Sequence, residues 1–170
     1  ESKMSHDTTI DIKRLVDQLT NPDMLLRIQA REKLVEVGEP AVSALCALAN
    51  AASDHVRWEC AKTLSQIADP ASTDTLIRLL EDSEEGVRWD AAIGLINIGE
   101  RAVAPLLRAI IYRSSDYTII GGARHVMHEF CRESWGAALK PVYEALNSFC
   151  ARESAPVEAQ RALKEWEASD

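Results

Sequence analysis

Positive charge is what this sequence most plainly lacks. Nineteen Lys and Arg face 27 Asp and Glu, a formal net charge of −8 over 170 residues. Holding nucleic acid by a general surface requires clustered cations to neutralise phosphates, and docking on an anionic membrane requires the same, so neither fits this balance. No run of 18 apolar residues occurs and no signal-peptide pattern opens the chain, which predicts no transmembrane helix and a cytoplasmic setting. Paired cysteines are missing too. Cys46, Cys60, Cys131 and Cys150 lie 14, 71 and 19 residues apart with no Cys-x-x-Cys, which argues against a disulfide framework or a structural zinc site. Each falls in an apolar helical stretch, where a reduced thiol acts as a small hydrophobe. Aromatic residues are only 5% of the chain, yet four of the nine are Trp. Nothing resembles a phosphate-cradling Gly-rich loop, a nucleophile elbow or a triad spacing. No catalytic residue and no cofactor are therefore expected.

The remainder is ordinary globular usage, 46% apolar and 27% charged, in a length that suits one domain with a sizeable core. Residues 1–8 read as a flexible N-terminal segment or a cloning remnant, with Met4 as the native start. Residues 9–170 read as a single repeat domain.

The repeat is visible by inspection. Val56–Leu64 recurs as Val87–Leu95 at an offset of 31, with Arg57-Trp58 answered by Arg88-Trp89. Leu26–Leu34 is a third copy, Ile119–Met127 a diverged fourth, and Ala155–Leu163 a weak fifth. Step 0 of the copies is Leu26, Val56, Val87, Ile119; step 4 is Ala30, Cys60, Ala91, Ala123; step 8 is Leu34, Leu64, Leu95, Met127; step 11 is Val37, Ile67, Ile98, Phe130. At 100° per residue these four steps fall in one apolar stripe about 80° wide, which marks an amphipathic helix. The small residue at step 4 predicts a close neighbour helix.

Breaks follow at Gly38–Pro40, Ala68–Pro70 and Gly99–Arg101, where glycine suits a left-handed cap and proline the next first turn. Further apolar helices are expected over Ala41–Ala51, Ser72–Glu81, Ala102–Tyr112 and Trp135–Phe149, with terminal helices over Thr9–Thr20 and Ala155–Ala168. Asp23, Ser53, Asp54, Asp82 and Ser83 supply N-caps. No strand pattern survives. The fold class is all-α, an α-solenoid of about five antiparallel helix pairs, with repeats near 9–38, 39–69, 70–99, 100–132 and 133–168. The polar outer faces of the first and last pairs read as caps.

The period near 31, the helix pairs, and Val-Arg-Trp followed downstream by Ile98-Gly99-Glu100 resemble HEAT repeats, most closely the short variety first associated with phycobilin lyases. The resemblance spans roughly residues 10–168 and is strongest over 22–113. It implies that the second helices line a concave surface. It also implies an acid–Arg ladder between neighbouring repeats. Asp82 and Arg88 fit that ladder, and Arg27 and Arg57 match its basic position, but Asn21 and Ala51 replace the acid. Deoxyhypusine hydroxylase, built of similar repeats, needs His-Glu pairs where this chain has Trp58-Glu59 and Trp89-Asp90, so that activity is excluded. Related DNA glycosylases need a basic groove, which is absent.

Opposite the core stripe lie Ile28, Val35, Trp58, Trp89, Ile93 and Ile96, with Glu59 and Asp90 beside the indoles. Such a stripe serves partner contact or stacking of Trp58 and Trp89 between adjacent helices; the sequence leaves both open. His125 and His128 share a helical face and form a weak metal candidate, against a reading as solvated histidines. Gly121-Gly122 implies either that the fourth helix starts later, near Ala123, or that backbone is bared for a close contact; the connector-like Ser114–Tyr117 favours the late start. Residues 51–100 carry −6 and residues 101–132 carry +3. Arg101, Arg108 and Arg124 in the basic stretch are candidate contacts for an anion or an acidic partner, or simply a solvated face.

The reading that follows is a non-catalytic scaffold whose concave face binds a protein partner that is basic or has an exposed apolar segment. No nucleic acid, membrane, metal or cofactor is expected, and the protein would be a monomer or weak dimer. The alternative, drawn from the resemblance, is an accessory or subunit of a phycobilin-lyase-like enzyme handling a tetrapyrrole chromophore.

Overall fold

The computed structural model describes residues 12–51, 53–114 and 117–168. Among them there is no strand; the chain is a succession of helices. They are α1 (residues 12–18), α2 (Met24–Val37), α3 (Glu39–Leu48), α4 (Asp54–Ile67), α5 (Thr73–Leu79), α6 (Glu85–Ile98), α7 (Val103–Arg113), α8 (Tyr117–Phe130), α9 (Lys140–Leu146) and α10 (Ala151–Glu167). Single 3-10 turns at Pro70–Ser72, Gly99–Ala102 and Gly136–Leu139 lead into α5, α7 and α9. The N-terminal segment expected over residues 1–8 lies outside the described residues.

The repeated stripe is the core. Ala30, Cys60, Ala91 and Ala123 are fully buried, as are Leu34, Leu64, Leu95 and Met127. Burial is less complete at the other two steps: Leu26 is 37% exposed where Val56, Val87 and Ile119 are buried, and Val37, Ile67 and Ile98 are half-buried where Phe130 is buried. The thiol of Cys60, deep in this stripe, is pushed up to about 12, chiefly by burial, with the Glu59 charge beside it. All four cysteines are free, but Cys150 is exposed just before α10 and is not part of the apolar interior.

Local chemistry sets the helix ends. The Asp23 carboxylate accepts the Leu25 N–H at 2.8 Å and caps α2, while Asp82 accepts the Glu84 N–H at 3.0 Å ahead of α6. Ser53 holds the cap position of α4 without a side-chain bond. The three C-terminal breaks all take positive φ: 71° at Gly38, 54° at Ala68 and 72° at Gly99. Two are glycine, which occupies that region without Cβ strain; Ala68 pays for it.

Helices α2, α4, α6 and α8 pack directly against one another, closest between α4 and α6, while α5 and α7 touch far less. The even-numbered helices thus form one continuous layer, the one that the sequence resemblance assigns to the concave side. Neighbouring repeats are tied by Arg57, whose Nε and Nη2 reach the two Asp82 oxygens at 2.6 and 2.9 Å. The acid ahead of one second helix therefore pairs with the Arg of the preceding repeat. Arg88 turns instead to the carbonyls of Asp82 and Ser83, just as Arg27 turns to those of Asn21 and Pro22.

Two expectations need correction. First, α8 runs unbroken from Tyr117, so Gly121-Gly122 does not delay its start. Gly122 instead lies against α5's C-cap residue Leu80, where an added Cβ would sit 2.9 Å from Leu80 Cβ and 3.2 Å from its carbonyl oxygen. The bare backbone is what allows the close approach. Second, the helix expected over Trp135–Phe149 reduces to the seven residues of α9. Pro141 sits in its first turn, where proline is tolerated, and Asn147 closes it.

The fifth pair is also placed in reverse. α9, the first of the two, packs on α8 of the even row, whereas α10 packs extensively along α7 of the odd row. Arg108 on α7 and Glu167 at the end of α10 mark that contact, 2.6 Å apart.

Candidate functional site

The two indoles occupy equivalent steps of α4 and α6 but differ in environment. Trp58 is half-buried. Lys62, one turn on, lies over its ring at 4.5 Å, and His55 stacks beside it with centroids 5.9 Å apart. Its edge reaches the next repeat: a Cβ at Gly86 would meet Trp58 Cδ1 at 3.3 Å, and its indole lies near enough to Asp90 to favour the charged carboxylate. Burial raises the Asp90 carboxyl, outweighing the opposing pull of Lys62, Arg31 and the indole. A cavity of about 170 Å³ lies at this end, between the first turns of α4 and α6, with Asp54, His55, Trp58 and Glu84 among its walls.

Trp89 is 57% exposed. It also leans on the following repeat, stacked on His125 of α8 with centroids 4.8 Å apart and an interplanar angle of 19°. The support holds one face of the indole and leaves the remainder open. Ile28, Val35, Ile93 and Ile96 are half-buried along the same inner row.

Glu59 does not belong to an accessible surface. It is 2% exposed, and its carboxylate is gripped by two guanidinium groups from the preceding repeat, Arg27 Nε at 3.1 Å and Arg31 Nη1 at 2.6 Å, with His55 Nε2 at 3.7 Å. Its charge is spent on joining α2 to α4. Neither arginine was paired with it by spacing, because the contacts span 32 and 28 residues.

The two candidate histidines part company. His125 has its Nε2 buried without a hydrogen-bond partner, and its ring face is taken up by the Trp89 indole. The exposed His128 contacts Glu129 through Nδ1 at 2.8 Å and lies 5.4 Å from the Tyr143 ring. Among the described residues no group of three His, Cys, Asp or Glu is placed to hold a metal ion. Arg101 and Arg124 are exposed and Arg108 is drawn onto Glu167, so the three share no partner among the described residues.

One feature escaped the sequence reading. A cavity of about 250 Å³ opens between the C-terminal ends of α6 and α8, walled by Ile96, Glu100, Glu129, Phe130, Glu133 and Trp135. Trp135 is fixed there by edge contacts with Phe130 at 5.2 Å and Trp166 at 5.7 Å. Its walls come from the end of one repeat and the connector after another, which no periodic pattern reveals.

An α-solenoid whose inner row carries a supported, open indole defines the class: a helical-repeat protein. Within that class the sequence matches the HEAT-repeat family over residues 12–82 and 42–127, and the chain belongs to that family. No curated protein matches it. Among solved structures, a chain of the complex of CpcE and CpcF of phycocyanin lyase from Nostoc sp. PCC7120 is similar over 91% of this chain and 98% of that one, with 23% identity and a TM-score of 0.59. An engineered protein is similar over 92% of this chain and 79% of that one, with 20% identity and a TM-score of 0.46. A designed armadillo repeat protein in complex with the peptide (KR)4 is similar over 93% and 88%, with 19% identity and a TM-score of 0.44. Among the described residues no helix is long and apolar enough to cross a membrane.

Proposed function

We propose that this chain is a non-catalytic interaction scaffold that binds a protein partner on the concave row of even-numbered helices, with Trp89 as the principal anchor. The observation that carries this reading is the indole of Trp89, more than half exposed yet braced by His125. An exposed aromatic held in one orientation loses little freedom on binding and offers a large apolar face, which is what interface anchors require. Trp58, half-buried with Lys62 over its ring, is the supporting neighbour rather than the anchor. The acidic residues around the stripe favour a partner of opposite charge, chiefly through association rate and register.

Trp89→Ala tests the reading. A partner captured by the wild-type protein and then purified should bind the variant at least about tenfold more weakly, because hot-spot truncations cost about 2 kcal/mol or more. The variant's thermal unfolding should stay close to wild type. Unchanged affinity would move the site off the concave row.

A second reading, an accessory or subunit of a phycobilin-lyase-like enzyme, is supported by the likeness in fold to the CpcE–CpcF chain. It predicts that the protein perturbs the visible absorption of a free linear tetrapyrrole. An unchanged spectrum at saturating protein would remove it.

A further inference from the structure

The cavity between the ends of α6 and α8 gives the proposed partner a chemistry. We infer that it receives a cationic side chain, Arg or Lys, from a partner segment whose apolar residue rests on Trp89; this rests on the concave-face reading and adds a second anchor to it. Four observations converge. Three carboxylates, Glu100, Glu129 and Glu133, stand in the wall. Only Glu129 is engaged among the described residues, by Arg132 Nη1 at 3.1 Å and by His128, so the wall keeps an excess of negative charge. Half-buried Trp135 contributes indole surface to the same wall, beside Ile96 and the buried Phe130, and an aromatic ring attracts a cation that has left bulk water. The walls also include the last turn of α8 and the residue that closes α6, and helix C-termini carry the negative end of the backbone dipole. An anion would meet all of these unfavourably, and a neutral group would use only the apolar surface.

The spacing of the anchors constrains the segment. Trp89 and Glu100 are eleven residues apart along α6 and its closing turn, about 16 Å at 1.5 Å per residue. Half-buried Ile93 and Ile96 lie between them. An extended chain rises about 3.3 Å per residue, so an apolar residue and a cation about five positions apart span both anchors.

The test uses the whole chain and a capped peptide in which Leu and Arg are separated by four Gly/Ser residues. The side-chain indole signals of Trp89 and Trp135 are followed by NMR at low salt. Both signals should shift along one binding curve. Replacing Arg in the peptide by neutral citrulline, or the exposed pair by Glu100→Gln/Glu133→Gln, should weaken binding about tenfold. Raising salt should erase most of that difference. A Trp89 shift that is equal for the Arg and citrulline peptides, with Trp135 unmoved, would overturn the cation site while leaving the concave-face reading intact. No shift at either indole up to the solubility limit would overturn the two-anchor segment; the fate of Trp89→Ala against a purified partner decides the broader reading separately.

Discussion

Glu59→Gln should be among the most damaging single changes in this protein that leaves every apolar contact in place. The substitution is nearly isosteric, so the loss is electrostatic. In the wild type one carboxylate, 2% exposed, balances two guanidinium groups that are each 12% exposed, at 3.1 and 2.6 Å. At an effective dielectric near 20 each attraction is about 4 kcal/mol at 4 Å, and much of that is offset by desolvation of the three groups. What remains exposed by the mutation is the uncompensated burial of the two arginines, about 3–5 kcal/mol. Against a total stability of about 5–15 kcal/mol this is large. At about 2–4 °C per kcal/mol for a chain of this size, the midpoint should fall by roughly 6–20 °C. Equilibrium urea unfolding followed by circular dichroism measures the loss directly. The reasoning makes a second demand: Arg27→Met/Arg31→Met/Glu59→Met, which removes all three charges, should recover most of the deficit. A loss below about 1 kcal/mol for Glu59→Gln would refute the argument, as would a triple variant less stable than the single one.

The adjacent glycines of α8 should respond oppositely. Gly121→Ala, with nothing within 4 Å of an added Cβ, should stabilise by about 0.5–1 kcal/mol, while Gly122→Ala should destabilise by about 1–3 kcal/mol as it collides with Leu80; thermal melts of both variants decide it. Ala68→Gly should gain about 0.5–1 kcal/mol by relieving the left-handed cap, read as a higher urea midpoint at unchanged slope. Asp82→Asn probes the Arg57 joint through pH. Burial alone would raise the Asp82 carboxyl, but the bonds from Arg57 and from the Glu84 N–H, with the Arg57 charge, hold it below its usual value. A lowered folded value means stability that is fully present above about pH 4, the unfolded value, and lost as the pH falls through the folded one. Wild type and Asp82→Asn should therefore differ at pH 7 and converge in acid; a constant gap would refute the linkage.

The inner stripe was legible because a helix repeats its geometry: the residues at steps 4 and 8 are buried in all four copies, and two of the three breaks carry the glycine that positive φ favours. What the period could not disclose was anything joining one copy to the next. Glu59 looked like a companion of Trp58, since one helix shows only its own faces; the guanidinium groups that bury it come from α2. Gly122 was read along its own helix as a late start, although its reason lies across the repeat in Leu80. The two indoles looked equivalent at step 2, yet the following helix offers Trp58 a carboxylate and Trp89 an imidazole, so only one remains open. The cavity at Glu100, Glu129, Glu133 and Trp135 gathers positions from different steps of different copies, and no single phase contains them.

The reversed final pair has a consequence for cooperativity. In a regular array each unit touches only its neighbours, so stability is a chain of local terms and the ends fray independently. Here α10 returns across α7, closing a stretch of some forty residues through one long contact. α7 through α10 must therefore gain and lose structure together, in a block whose formation waits on a distant pairing. Amide protons in α7 and α10 should exchange through a common opening event, while those of α2 open separately.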